Sequence, residues 1–209
     1  MARSGLVVAA GAPGAVDAAV EALRDGGIVG VPTETVYGLA VLPQPKALAA
    51  LIAAKGRPSD KGIVLMIDAL DQVAGLVEVP AAARSLADAF WPGALTLVLP
   101  LLPGVVVPDV VTGGRATLGL RLPDHAVPRA LARRLGPLAV SSANRTGEPD
   151  TLTAAELVAA IGAGLALVLD DGPARGGVPS SVVAVDREGS WRVLREGALS
   201  EVALRRGRA

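Results

Sequence analysis

Side chains able to hold an anion or move a proton are concentrated in a few short segments of an otherwise apolar chain. One is Lys55-Gly56-Arg57-Pro58-Ser59-Asp60-Lys61. Seventeen of the 20 basic residues are arginine, yet two of the three lysines fall here, beside Arg57. Lysine is a compact point charge and arginine a bidentate fork, and phosphate sites commonly employ both. Asp60 offsets only part of the charge and Pro58 stiffens the loop, which favours anion binding over a merely solvated basic loop. A charged loop at a strand end should sit outside the core, so losing Lys55 or Arg57 should cost turnover far more than stability. A second segment, Pro32 to Leu39, places Thr33, Glu34, Thr35 and the only tyrosine, Tyr37, after a buried strand. It reads equally as a Thr-capped turn with Tyr37 packed inward. In Arg115 to His125, strand alternation sets Thr117, Gly119 and Arg121 on one face and Leu118, Leu120 and Leu122 on the other, so Arg121 reaches either solvent or a ligand carboxylate. Val140 to Asp150 packs Ser141, Ser142, Asn144 and Thr146 together, short side chains that cradle a phosphate or sugar or build an ordinary turn. Ser180 and Arg195 are polar edges on apolar strands.

Composition removes much familiar chemistry. With no cysteine there is no disulfide, thiolate metal site or Cys nucleophile, and the single His125 cannot form a multi-histidine site. His125 suits the start of a helix better than the role of a base. Neither a Walker A sequence nor a Gly-x-Gly-x-x-Gly after a strand is present. Twenty basic and 20 acidic residues balance, which argues against a polyanion-binding tail. No uninterrupted apolar run reaches the ~20 residues of a membrane span. The most apolar stretch, Ala94 to Val107, is broken by Pro100, Pro103 and Gly104. A cytoplasmic protein with no membrane contact is the expectation.

The elements that must position these residues alternate between Val/Ile/Leu-rich runs and Ala-rich segments of helical period, the pattern of a single-domain α/β fold. Helices are expected over Ala15 to Asp25, Ala47 to Ala54, Ala81 to Phe90, His125 to Leu135 and Thr153 to Ile161. The last opens with a capping box between Thr153 and Glu156. Strands are expected over Ile28 to Val31, Ile63 to Ile67, Leu95 to Leu99, Ala116 to Leu122, Leu138 to Val140, Leu165 to Leu169, Ser181 to Val185 and Trp191 to Leu194, with a tail helix from Leu199. The polar segments then fall at strand ends, where open α/β sheets bind ligands.

Taken in order, Pro32 to Leu39, Lys55-x-Arg57, Trp91-Pro92-Gly93 before Leu95-Thr96, Arg121-x-Pro123, Ser142-x-Asn144 and Leu194-Arg195-x-Gly197 resemble the YrdC-like threonylcarbamoyl-AMP synthases of bacterial TsaC type. The resemblance runs from about Val16 to about Gly197. It implies one domain over 1–209 with a core of about 16–197 and a short C-terminal helical tail. It also implies a twisted mixed sheet with flanking helices (an α/β fold of the dsRNA-binding type) around a positively charged central cavity, and the short form, without a further C-terminal domain. The implied reaction joins L-threonine, bicarbonate and ATP into threonylcarbamoyl-AMP and pyrophosphate, with Mg2+ bridging phosphates. The product feeds threonylcarbamoyladenosine formation in tRNA through a downstream threonylcarbamoyl-transferase complex, with tRNA as a further binding partner.

By that resemblance Lys55 and Arg57 are catalytic. Arg57, Lys61, Thr117, Ser142, Asn144 and Arg195 bind ATP, and Thr35, Arg121 and Ser180 bind L-threonine, with no dedicated protein metal site. Several positions depart from the family pattern. Lys61-Gly62 stands for Asn-Pro, Met66 for a His near threonine, Ser141 for Pro, and Asp150 for Ser or Thr. Asp150 would repel ATP unless it pairs with Lys61 or helps hold the metal. Two other functions compete. One is a non-catalytic module for structured RNA, which zero net charge and 2% aromatic content weaken. The other is a carbamoyl-adenylate enzyme with another acceptor, as in hydrogenase-maturation proteins.

Overall fold

The computed structural model describes residues 7–56, 61–162 and 164–207. Ten strands form one mixed sheet: β1 (Val7–Ala9), β2 (Ile28–Val31), β3 (Gly38–Val41), β4 (Val64–Met66), β5 (Leu95–Pro100), β6 (Thr117–Arg121), β7 (Leu138–Ser142), β8 (Leu165–Asp170), β9 (Ser181–Val185) and β10 (Trp191–Arg195). Their order is β1-β8-β2-β3-β7-β4-β6-β5-β9-β10. The pairs β1–β8, β2–β8, β4–β6 and β5–β9 are parallel and the others antiparallel.

The helices are α1 (Ala15–Arg24), α2 (Pro45–Lys55), α3 (Ala81–Phe90), α4 (Asp109–Thr112), α5 (Ala126–Leu135), α6 (Ala154–Ile161) and α7 (Glu201–Arg206). Their ends follow local chemistry. Glu156 N bonds Thr153 Oγ1 at 3.1 Å while the Glu156 carboxylate returns to Thr153 N, the expected capping box. His125 caps α5, its Nδ1 accepting from Val127 N at 3.3 Å. Gly56, at φ 58°, ends α2 just after Lys55.

Two segments that the sequence left outside regular structure are strands, β1 and β3. β3 turns back on β2 with Val29 opposite Ala40 and Val31 opposite Gly38, which shortens the polar loop to residues 32–37. Both β2 and β3 are buried on both faces, so neither shows the alternation that marks a half-exposed strand.

The helices divide unevenly over the sheet. On one face α2, α3 and α6 pack against Leu39, Leu65, Leu97, Leu118 and Val183. On the other, α1 and α5 cover β8, β2, β3, β7 and β4 through Val20, Leu23, Leu131, Val140 and Leu167. That cover stops short of β6, β5, β9 and β10. On β5, β6 and β9, Val98, Thr117, Gly119, Val182 and Ala184 are half-buried while the residues next to them within the strands are fully buried. An uncovered sheet face beside a covered one is the concavity in which the polar loops meet.

Candidate functional site

The inner end of this concavity is a cavity of about 300 Å³, bordered by Thr33, Thr96, Arg121, Ser142, Ser180 and Arg195 among others. It continues along the open strands into a space of about 590 Å³ that shares Gly62, Val64, Thr96 and Arg195 with it and adds Arg115, Thr117 and Arg192. Alternation in β6 therefore does what the sequence predicts: Arg121 faces the inner space and Thr117 the outer one.

Arg121 is the most constrained cation of the site. It is 5% exposed, far from the solvent-facing alternative. Its Nη2 donates to Glu34 Oε1 at 2.7 Å and to Thr35 Oγ1 at 2.9 Å, and its Nε to the Gly93 carbonyl at 3.2 Å. Nη1 makes no hydrogen bond with a described residue, and Arg121 borders the cavity. The Trp91-Pro92-Gly93 turn supplies that carbonyl, and Gly93 N is itself anchored on Leu122 O at 2.8 Å. Glu34 Oε2 is buried with no hydrogen-bond partner, so Glu34 presents one oxygen to Arg121 and holds a second in reserve. Sequence reasoning noticed Glu34 as a carboxylate but gave it no role.

Of the two threonines, Thr35, the one expected to meet the ligand, does not border the cavity, and Thr33 does. Thr33 Oγ1 donates to Val36 O at 2.6 Å and accepts from the backbone N–H groups of Thr35 and Val36, closing the loop on itself. Thr35 Oγ1 lies 2.9 Å from Thr33 Oγ1; with the Thr33 proton committed to Val36, Thr35 donates, and it accepts from Arg121. Thr35, expected to read threonine, thus sits behind the wall and braces Arg121, while Thr33 faces the cavity. Ser180 borders the cavity, with Oγ 2.8 Å from Thr96 Oγ1.

Arg195 donates from Nη2 to Ser180 O at 2.7 Å. Burial is the main cause that pushes its guanidinium pKa below the usual arginine value; Asp150 acts upward and Arg121 downward. Gly197 permits this junction, since a Cβ there would lie 2.3 Å from Pro179 O. Gly176 has the same role beneath Glu34, where a Cβ would lie 2.8 Å from Glu34 O.

Lys55 corrects an expectation. It is 3% exposed, not outside the core. Its Nζ donates to Ser142 O, to Asn144 O at 2.7 Å and to Asn144 Oδ1 at 3.2 Å. Ser142 Oγ in turn donates to Asn144 Oδ1 at 2.6 Å, and Asn144 Nδ2 to Glu148 O at 2.6 Å. A lysine at the last turn of α2 therefore fixes the two side chains that border the cavity. Arg57 lies outside the described residues, with Pro58, Ser59 and Asp60. Lys61 is exposed and leads into Gly62, which lines both spaces.

Tyr37 and His125 hold the loop that carries Ser180. Tyr37 Oη donates to Gly172 O at 2.7 Å, with the Asp170 carboxylate 3.2 Å away, and burial pushes its pKa up to about 12. His125 Nε2 lies 3.3 Å from Asp171 Oδ2, and burial lowers its pKa against the pull of Asp171. With Nδ1 accepting the helix cap, His125 is a neutral helix-start residue, as the sequence predicted.

No group of three or more His, Cys, Asp or Glu is placed to hold a metal among the described residues, and no helix among them is long and apolar enough to cross a membrane. With Asn144 Oδ1 already accepting from Lys55 and Ser142, the single carboxylate bordering the cavity among the described residues, Asp150, suits a hard cation that would arrive with phosphates better than a resident ion.

Residues 21–197 match the Sua5/YciO/YrdC family model, whose description is "Telomere recombination". The chain is 40% identical over 165 residues to the threonylcarbamoyl-AMP synthase of Bacillus subtilis, covering 78% of this chain and 47% of that protein, so it spans about half that relative's length. It is 40% identical over 185 residues to a putative threonylcarbamoyl-AMP synthase of Mycobacterium tuberculosis, covering 87% and 83%. The crystal structure of P. abyssi Sua5 complexed with L-threonine superposes with a TM-score of 0.85 at 36% identity, covering 92% of this chain and 57% of that one. On these matches, the chain belongs to the Sua5/YciO/YrdC family.

Proposed function

We propose that this protein is an L-threonylcarbamoyladenylate synthase, making threonylcarbamoyl-AMP and pyrophosphate from L-threonine, bicarbonate and ATP. The observation that carries the reading is the junction of two spaces: an inner one of amino-acid size with a braced, buried Arg121, opening into a longer trough bordered by Arg115, Arg192 and Arg195. The names of the Bacillus and Mycobacterium relatives and the threonine complex of P. abyssi Sua5 support it.

The chemistry asks for little beyond placement. The threonine amine adds to bicarbonate carbon with loss of water, and an oxygen of the resulting carbamate attacks the α-phosphorus, whose bond to the bridging oxygen breaks to release pyrophosphate. No protein nucleophile is needed, which suits a chain without cysteine. The protein must align three reactants and absorb phosphate charge. Arg121 takes the threonine carboxylate, and Ser180 faces the remaining polar groups. Ser142 and Asn144, fixed by Lys55, bind the nucleotide together with Thr117, Arg195, Lys61 and Arg57. Mg2+ brought in by ATP would supply further neutralisation of phosphate charge beside Arg195 and Lys61. The excess of arginine along the trough makes it positively charged. A cytoplasmic setting follows from these substrates, and the product passes to a threonylcarbamoyl-transferase complex acting on tRNA.

Incubation with ATP, Mg2+, L-threonine and 13C-bicarbonate, followed by mass spectrometry, tests the reading. It expects an adenylate carrying one heavy carbon and no such species when threonine is replaced by L-valine. Labelled product with both amino acids, or none with either, would contradict it.

A further inference from the structure

Asp150 is the one carboxylate among the described residues that line the inner cavity. It ends the loop after β7 and is half-buried. Its place is fixed by its neighbour, since the buried Thr151 accepts from Tyr37 N at 2.9 Å through its carbonyl and donates to Ala143 O at 3.3 Å through its hydroxyl. Although Arg195 and Arg121 border the same space, Asp150 makes no hydrogen bond or ion pair with a described residue. Its charge reaches Arg195 only through space.

A fixed, unpaired carboxylate is a liability in a pocket built for phosphates, because its charge repels the ligand directly. A divalent cation between the two reverses the sign. Mg2+ is commonly held by one or two carboxylates together with substrate phosphates and water. The absence of a three-residue acidic or histidine cluster among the described residues means such an ion would be held jointly by nucleotide and protein, not by protein alone. We infer that Asp150 anchors the divalent cation that enters with the nucleotide, and so makes the site select metal-bound over metal-free ATP. The inference rests on the adenylate-forming reading and names a residue of that same site.

The sign of the effect makes it testable by binding alone. Titration calorimetry would measure ATP affinity in Mg2+ and in EDTA for the wild type and for Asp150→Asn, with thermal melting to confirm that both are folded. In EDTA the variant should bind ATP about threefold to tenfold more tightly than wild type, because a repulsive charge is gone, and in Mg2+ about threefold to tenfold more weakly. Asp150→Glu should restore part of the metal preference. The electron spin resonance spectrum of Mn2+-ATP on the protein should differ between wild type and Asp150→Asn. A variant whose affinity rises by the same factor in both buffers shows Asp150 to be merely repulsive and overturns the inference. So does one whose affinities are unchanged. A wild type that binds ATP in neither buffer overturns the adenylate-forming reading as well.

Discussion

Removing Glu34 should expose how much of the site rests on a single buried ion pair. Arg121 and Glu34 side chains are 6% and 17% exposed and meet at 2.7 Å. Breaking a fully buried pair from one side costs about 3–5 kcal/mol because a charge is left uncompensated, whereas an exposed pair is worth about 0–1 kcal/mol. Glu34 retains some solvent contact, and Arg121 keeps Thr35 Oγ1 and the Gly93 carbonyl. The expected cost of Glu34→Ala is therefore about 2–3 kcal/mol, a fall in Tm of roughly 4–12 °C for a chain of this size. Glu34→Gln should cost less, since its amide oxygen still accepts from Arg121. Its new amide donor, however, occupies the place of Oε2, which has no partner. Urea denaturation of Glu34→Ala, Arg121→Met and the double variant would give the coupling directly, expected at about 1–3 kcal/mol. Coupling below about 0.5 kcal/mol would show the pair to be worth no more than an exposed one and would refute the argument that Glu34 holds Arg121 in place.

Lys55→Met should lower stability by roughly 2–4 kcal/mol by taking the ammonium donor away from the Ser142 and Asn144 carbonyls, and should raise the KM for ATP; unchanged urea midpoints would speak against the buried arrangement. His125 should make stability fall as pH drops from 6.5 toward its lowered folded pKa, because the unfolded chain takes up a proton that the folded one resists. Melting curves at pH 7.5 and 5.5 should show a smaller difference in His125→Asn, which retains a capping side chain; an equal difference would remove His125 from the account. Gly197→Ala forces a Cβ against Pro179 O and should cost roughly 1–3 kcal/mol while raising the KM for threonine through Ser180; a wild-type KM would show that the close approach is not needed.

Most elements were legible because their periodicity or caps were strong. The α6 capping box and the strand over Ser181–Val185 follow directly from residue order. β3 was not, since Gly38-Leu39-Ala40-Val41 is buried on both faces like β2 but has one β-branched residue where β2 has three, and Gly38 and Ala40 are weak strand formers. In the site, Arg121 was legible as the polar face of a strand, but its state depended on Glu34, 87 residues away, which no local pattern reveals. Thr33 and Thr35 have the same side chain two positions apart, so only the loop's own hydrogen bonds decide which faces the cavity. Lys55 was misplaced for a related reason: a charged residue beside Gly56 reads as surface, and the carbonyls that bury it belong to a loop about 90 residues later.

The central claim is that the two joined spaces align an amino acid, bicarbonate and a nucleotide for adenylate formation. Pyrophosphate release by the purified protein with ATP and Mg2+ tests it most directly, with L-threonine and bicarbonate added singly and together and L-serine as the analogue control. The account predicts release only when threonine and bicarbonate are both present, and less with serine. Release that needs neither, or none with both, would contradict it.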